Sequence, residues 1–239
     1  MKGILGILGG MGPQASIRLY ELIIQSSIRD YGIRDNANVP HILLDNIPVP
    51  DLVLSRDDEE KTIRIVEEEA KRLAKAGATL LVLACNTMHL YANRFQSVAG
   101  IPFLSMIDSV VKKVLDSGVQ KVGLVGSPTT MRSDLYLTPL QNAGIEVLIP
   151  KQSDQDRIGT LIHGVIAGTI DAKDTKDFNA IAGKLLSEGA QAVILGCTEL
   201  PFLVDAKTDV HFFDSLEILS ESICTELFQE LRSPVISVE

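Results

Sequence analysis

The chain is expected to be an α/β protein with two similar lobes. Each lobe is a parallel sheet flanked by helices, the two are related by a pseudo-two-fold, and the active site lies in the cleft between them. Three observations predict this. Short apolar runs alternate with longer amphipathic segments. The apolar runs carry almost no polar residue, as strands covered on both faces do. The pattern of the first half starts again in the second.

Taken in order, the strands are expected at 4–8, 42–44, 80–84, 103–104, 122–125, 145–149, 192–195 and 210–213. Helical spacing lies between them. Ile63, Val66, Ala70, Leu73 and Ala74 fall on one face of a helix, with Glu67, Glu68, Lys71 and Arg72 opposite. The acidic run at 57–60 suits the positive end of that helix dipole. Strand–helix alternation implies βα units and a mostly parallel sheet.

The repeat is specific in its details. Gly6-Ile7-Leu8-Gly9-Gly10 is echoed by Gly123-Leu124-Val125-Gly126-Ser127. Gly77-Ala78 opens a buried run that ends in Cys85-Asn86-Thr87, and Gly189-Ala190 opens one that ends in Cys197-Thr198-Glu199. Similar strands alone would explain the Gly-Ala pairs and the aliphatics, but not a cysteine at the same strand end twice. The expected division is residues 1–110 plus 216–239 for the first lobe and 111–215 for the second. The last helical segment, 216–231, packs back on the first lobe.

Composition narrows the function. With 239 residues, 46% of them hydrophobic and 22% charged, the chain is an ordinary globular protein. At that length folding buries roughly 70% of the unfolded surface, enough to hold a core without a metal or disulfide. A net charge of −9 with no basic run argues against nucleic acid or an anionic membrane as partner. Three cysteines, Cys85, Cys197 and Cys224, are not a disulfide framework. No apolar run approaches the roughly 20 residues that span a bilayer, and the apolar N-terminus is short and broken by glycines. The cytoplasm is therefore the expected compartment.

Ligands of open α/β sheets bind beyond the carboxyl ends of the strands. Cys85 and Cys197 stand there with polar flanks, whereas Cys224 sits in the apolar pattern of the last helix. A helix N-terminus after each strand is expected to lower the thiol pKa. Two equivalent thiols across a cleft suit inversion of a stereocentre, which needs a base on one face of the carbon and an acid on the other. A disulfide-exchange site would prefer Cys-x-x-Cys, which is absent. The Gly9-Gly10-Met11-Gly12-Pro13 turn lets backbone amides approach a carboxylate, but it lacks the spacing of a phosphate loop. His89 follows Cys85 by one helical turn. One Cys and one His make no metal site, and His41, His163 and His211 read as structural or surface residues.

Together Leu8-Gly9-Gly10-Met11-Gly12-Pro13, Cys85-Asn86-Thr87-Met88-His89 and Gly196-Cys197-Thr198-Glu199 resemble the aspartate/glutamate racemase family, from Gly6 to Ser215. The resemblance implies two-cysteine amino-acid racemisation without pyridoxal phosphate or any other cofactor, no metal, and a homodimer. Cys85 and Cys197 would be the two bases. Met11, Gly12, Asn86, Thr87, Thr130 and Thr198 would hold the α-carboxylate and α-amino group. Glu199 would orient Cys197 or meet the ammonium. The Cys-Thr-Glu ending looks like the aspartate racemase branch. Where those relatives often carry Arg and Lys for substrate carboxylates, this chain reads Leu52 and Ala167. Arg56, Arg157 and Lys151 are the candidate replacements. The same scaffold serves decarboxylases and cis–trans isomerases of small dicarboxylates, and a binding module without turnover is the third alternative.

Overall fold

In the computed structural model, residues 3–50 and 57–228 are described. The expectations for Leu52 and Arg56, and for residues 229–231 of the last helix, lie outside them. The first lobe runs β1 (Leu5–Gly9), α1 (Pro13–Tyr31), β2 (Ile42–Asn46), α2 (Glu59–Lys75), β3 (Leu80–Leu83), a 3₁₀ turn at Thr87–Tyr91, and α3 (Ala92–Ala99). The chain then passes through α4 (Met106–Ser117), β4 (Lys121–Gly126), α5 (Pro128–Arg132), α6 (Asp134–Asn142), β5 (Glu146–Leu148), α7 (Gln152–Ala167) and α8 (Ala172–Ser187). It closes with β6 (Ala192–Gly196), a 3₁₀ turn at Leu200–Leu203, β7 (Phe212–Asp214) and α9 (Ser215–Leu227).

All strand pairs are parallel, and the two sheets repeat one order. The first is β2-β1-β3 and the second β5-β4-β6-β7. The strand expected at 103–104 is reduced to a bridge between Leu81 and Phe103. Pro102 has no N–H to donate, and Ser105 already caps α4, so the chain has no length left for a ladder. With that bridge counted, the first sheet has the order of the second.

Each sheet is covered on both faces, which is why its strands read as unbroken apolar runs. Leu5 and Ile7 pack with Leu19 and Ile23 of α1 and with Leu219 and Ile223 of α9. Leu8 and Leu81 pack on the other face with Val66 and Leu73 of α2 and with Phe95. In the second sheet Val193 and Leu195 meet α7 and α8, while Leu124 and Ile194 meet Val110 of α4 and Tyr136 of α6. Residues 110 and 111, where the sequence pattern divides the lobes, lie inside α4. That helix places Met106 in the core of the first sheet and Val110 and Val114 in that of the second.

The Gly-Ala half of the repeat has a structural cause. Gly77 and Gly189 take φ of 101° and 99° just past the ends of α2 and α8. Gly77 N–H donates to the Ala74 carbonyl and Ala78 N–H to that of Leu73, and Gly189 and Ala190 do the same to Leu186 and Leu185. These are Schellman caps, which satisfy the last carbonyls of a helix and favour glycine at the left-handed position. They end each helix where the buried strand must begin.

Gly123 lets α8 approach the sheet. A Cβ there would lie 2.8 Å from Leu185 Cδ1 and 3.1 Å from Leu185 Cβ. Gly123→Ala is expected to destabilise by about 1–3 kcal/mol through overpacking, lowering Tm by about 2–12 °C. Gly183→Ala, where an added Cβ meets nothing within 4 Å, is expected to leave Tm unchanged or raise it. Thermal unfolding of the two variants checks the contrast, and equal effects would contradict it.

Candidate active site

Three strand ends build the site. β1 runs into the Gly9–Pro13 loop, β3 into Cys85-Asn86-Thr87 and β6 into Cys197-Thr198-Glu199. All face a cavity of about 130 Å³, closed from the sides by Val49, Pro50, Thr62 of α2, Met88 and Ile166 of α7. Both lobes therefore contribute a cysteine to one chamber. Cys85 is half-buried and Cys197 is buried.

Glu199 ties the chamber together. Gly12 N–H donates to its Oε1 at 3.2 Å, and the Cys197 thiol and Thr198 hydroxyl donate to its Oε2 at 3.1 and 3.0 Å. Burial raises the Glu199 pKa, and these three donors oppose the rise. For Cys197 the expectation of a lowered pKa is corrected. Burial first, and then the Glu199 charge and the hydrogen bond to it, push the thiol well above its ordinary value. The elements after the two cysteines are 3₁₀ turns rather than long α-helices, so no helix dipole of useful length offsets that burial. The Cys85 charge also raises Cys197, which couples the two sulfurs.

Around Cys85 the polar groups are held by one another. The Asn86 amide donates to Ser215 Oγ at 3.0 Å and accepts from Tyr136 OH at 2.6 Å. Tyr136 is fully buried, and burial raises its pKa, so the phenol stays a neutral donor. Thr87 Oγ1 lies 2.9 Å from Ser127 Oγ and 3.0 Å from Thr130 Oγ1. Thr130, expected at the substrate, does not line the cavity. It is fully buried behind Thr87, and Ser127 Oγ donates to it. The other eight expected residues, Met11, Gly12, Cys85, Asn86, Thr87, Cys197, Thr198 and Glu199, do line the cavity.

His89 supports Cys85 from outside the cavity. Met106 N–H donates to its Nε2 at 3.1 Å. Nε2 is then unprotonated, and Nδ1 carries the hydrogen toward the Cys85 carbonyl at 2.7 Å. Burial lowers its pKa to about 4, so the ring stays neutral and links Cys85 to the start of α4. The candidate cations are elsewhere. Arg157 forks onto Asp174 and Asp177 at 2.6 and 2.8 Å. Lys151 is exposed at the start of α7, Ala167 is exposed, and it is Ile166 that faces the cavity. Thr62, Val49 and Ile166 are site residues that the sequence does not single out. They come from the sides of the cleft and carry no local motif.

Among the described residues no helix is long and apolar enough to cross a membrane. The family model for Asp/Glu/Hydantoin racemase matches residues 8–223. The broad specificity amino-acid racemase RacX of Bacillus subtilis strain 168 is 25% identical over 92% of this chain and 94% of its own length. A glutamate racemase of Aquifex pyrophilus is 31% identical over 75% of this chain and 69% of its own. The structure of an aspartate racemase homologue from Pyrococcus horikoshii OT3 superposes with a TM-score of 0.76 at 32% identity, covering 96% of this chain and all of that one. The Picrophilus torridus aspartate racemase gives 0.77 at 25% identity, over 96% and 94%. With its two lobes, its strand-end cysteines and a match across nearly its whole length, the chain belongs to the Asp/Glu/hydantoin racemase family.

Proposed function

We propose that this racemase inverts the α-carbon of an amino acid by proton transfer between Cys85 and Cys197, with no cofactor. The observation that carries the reading is one cavity lined by two thiols from equivalent strand ends of the two sheets. In the form that acts on one enantiomer, Cys197 carries the proton, held there by burial and by Glu199, and Cys85 must supply the thiolate. Cys85 takes the α-proton, and the electron pair of the broken C–H bond moves into the α-carboxylate. The Cys197 thiol then delivers its proton to the opposite face. Two bases acting from two sides are what inversion requires.

The Met11-Gly12 turn, Asn86, Thr87 and Thr198 hold the α-carboxylate and α-amino group in this reading, with Glu199 beside the ammonium and Thr130 setting Thr87. Aspartate and glutamate, which the resemblance brings forward, are the first substrates to assay. A homodimer and residence in the cytoplasm belong to the same proposal. The family resemblance supports the first, and the sparse, odd set of cysteines supports the second.

Replacing either Cys85 or Cys197 by Ala is expected to cut kcat/KM for racemisation by about 10²–10⁴. The double replacement is expected to abolish α-hydrogen exchange in heavy water across a panel of amino acids. A double variant that still racemises any of them would sink the assignment.

The rate is expected to be bell-shaped in pH, because one sulfur must be ionised and the other protonated. Its alkaline limb reflects loss of the Cys197 proton and lies above the ordinary thiol value of about 8.5. In Glu199→Gln the carboxylate charge that disfavours the Cys197 thiolate is gone, so this limb is expected to move to lower pH. A pH profile of kcat/KM for both forms checks the sign. An unmoved limb would mean that the Glu199 charge does not bear on Cys197.

A further inference from the structure

Tyr136 of α6 is fully buried, and its ring packs in the core of the second sheet with Leu124 and Ile194. Its hydroxyl reaches across to the first lobe and donates to Asn86 Oδ1 at 2.6 Å. The ring lies beside the other strand end: a Cβ built on Gly196, the residue before Cys197, would be in van der Waals contact with Tyr136 Cε2 at 3.4 Å. One side chain thus stands against the residue before one cysteine and the residue after the other. Tyr136 itself does not line the cavity.

Asn86 does line it, at 2% exposure. Its Nδ2 donates to the oxygen of Ser215, the buried first residue of α9. An asparagine amide has two donor hydrogens and two acceptor positions. Tyr136 and Ser215 take one of each, so one hydrogen and one acceptor position remain. The phenol decides which way round they lie. Its hydrogen has no other acceptor among the described residues, so reversing the amide would leave a buried donor unpaired, which is costly. Ser215 alone exerts no such choice, since a serine hydroxyl accepts or donates. Turning the amide over would exchange the places of its remaining hydrogen and its remaining acceptor.

On the racemase reading, Asn86 helps to hold the α-carboxylate and α-amino group of the substrate. Resting on that reading, we infer that Tyr136 is a positioning residue for racemisation. By holding the Asn86 amide one way round, it fixes where the substrate meets a donor and where it meets an acceptor. Tyr136 acts through Asn86 and transfers no proton.

The test uses the full chain. α-Hydrogen exchange in heavy water across the amino acids, aspartate and glutamate first, selects the substrate, and racemisation kinetics on it follow, below the Tm of every variant. Tyr136→Phe keeps the ring beside Gly196 and removes only the hydroxyl. It is expected to lower kcat/KM by about 10- to 100-fold, the order that a misplaced binding group costs. Asn86→Ala is expected to lower it by at least as much. With Asn86→Ala already in place, Tyr136→Phe is expected to change kcat/KM by less than about twofold, since changes along one path do not add. Both limbs of the pH profile are expected to stay where they are in Tyr136→Phe.

Unchanged kinetics in Tyr136→Phe would overturn the inference. So would an equal loss with Asn86 already replaced, or a shifted limb, because the phenol would then act by packing or on the sulfurs. Wild-type kinetics in Asn86→Ala would overturn it by removing the group through which Tyr136 acts. If Tyr136→Phe does not fold, Ser215→Ala releases the same amide from its other side, and unchanged kinetics there would overturn the inference equally. Exchange with no amino acid in the wild type would overturn the racemase reading and this inference with it, whereas exchange in the wild type without the Tyr136 effect overturns this inference alone.

Discussion

A buried carboxylate holds the two lobes in register at the site. Glu199, 2% exposed, cannot be ionised at such a buried position without donors around it. It has three, and they come from both halves of the molecule: Gly12 N–H from the loop after β1, and the Cys197 thiol and Thr198 hydroxyl from the end of β6. Shifting the lobes relative to each other would strip Gly12 from the carboxylate and leave charge unpaired. The same contact gives the glycine at position 12 a reason. A Cβ there would stand 3.1 Å from Glu199 Oε1, tight enough that the carboxylate would have to shift by a few tenths of an ångström. A loop that reads as a ligand cradle thus uses at least one of its amides inside the protein, and Gly10 N–H likewise donates to Ser16 Oγ.

The internal repeat separates into a part that builds the fold and a part that lines the cavity. Gly123 brings helix and sheet together, since a Cβ there would meet Leu185 of α8 at 2.8 Å, whereas a Cβ on Gly6 would meet Leu81 of the neighbouring strand β3 at 2.8 Å. Gly77 and Gly189 end helices in matching caps. The two cysteines share a strand position but not surroundings. Asn86 is pinned by Ser215 and Tyr136, and both of these lie in the second half of the chain. At the other strand end stands Glu199, which reaches back to the first. The residue beside each thiol, Asn86 or Glu199, is thereby tied to groups from the other half of the chain.

Much of this is legible in sequence because it is local. Unbroken apolar runs mark β1, β3, β4 and β6, and the matched cysteines mark the strand ends that carry the site. The bridge at Phe103 reads as a strand, since two apolar residues after Pro102 do not reveal that α4 starts at once. Thr130 reads as a substrate contact, but its hydroxyl faces Thr87 and Ser127. That arrangement depends on where α5 docks, which no spacing encodes. The pKa of Cys197 is hidden for a related reason. A helix start is readable in sequence, but burial to 7% exposure beside an acid is a property of the assembled cleft. Thr62 is silent because nothing in its neighbourhood on α2 distinguishes a cavity wall from a core position.

Thermodynamics limits how the inequality of the two thiols can express itself. Enantiomers have equal free energy, so the equilibrium constant of a racemisation is one, and kcat/KM must be the same in both directions at every pH. Asymmetry between Cys85 and Cys197 therefore cannot show in that ratio. It shows in the two parameters separately. In the two-thiol mechanism proposed above, the form with its proton on Cys197 would be favoured by burial and by Glu199 and would bind productively the enantiomer whose α-hydrogen faces Cys85. The other enantiomer needs the proton on Cys85, a less populated form, so its apparent affinity falls by that population. Once bound it sits in the less stable complex and has a smaller barrier to cross. Its KM and its kcat rise together by the same factor. Under that mechanism, a site that looks pseudo-symmetric in its strands would be kinetically lopsided through a single buried carboxylate, while satisfying the equality that racemisation imposes.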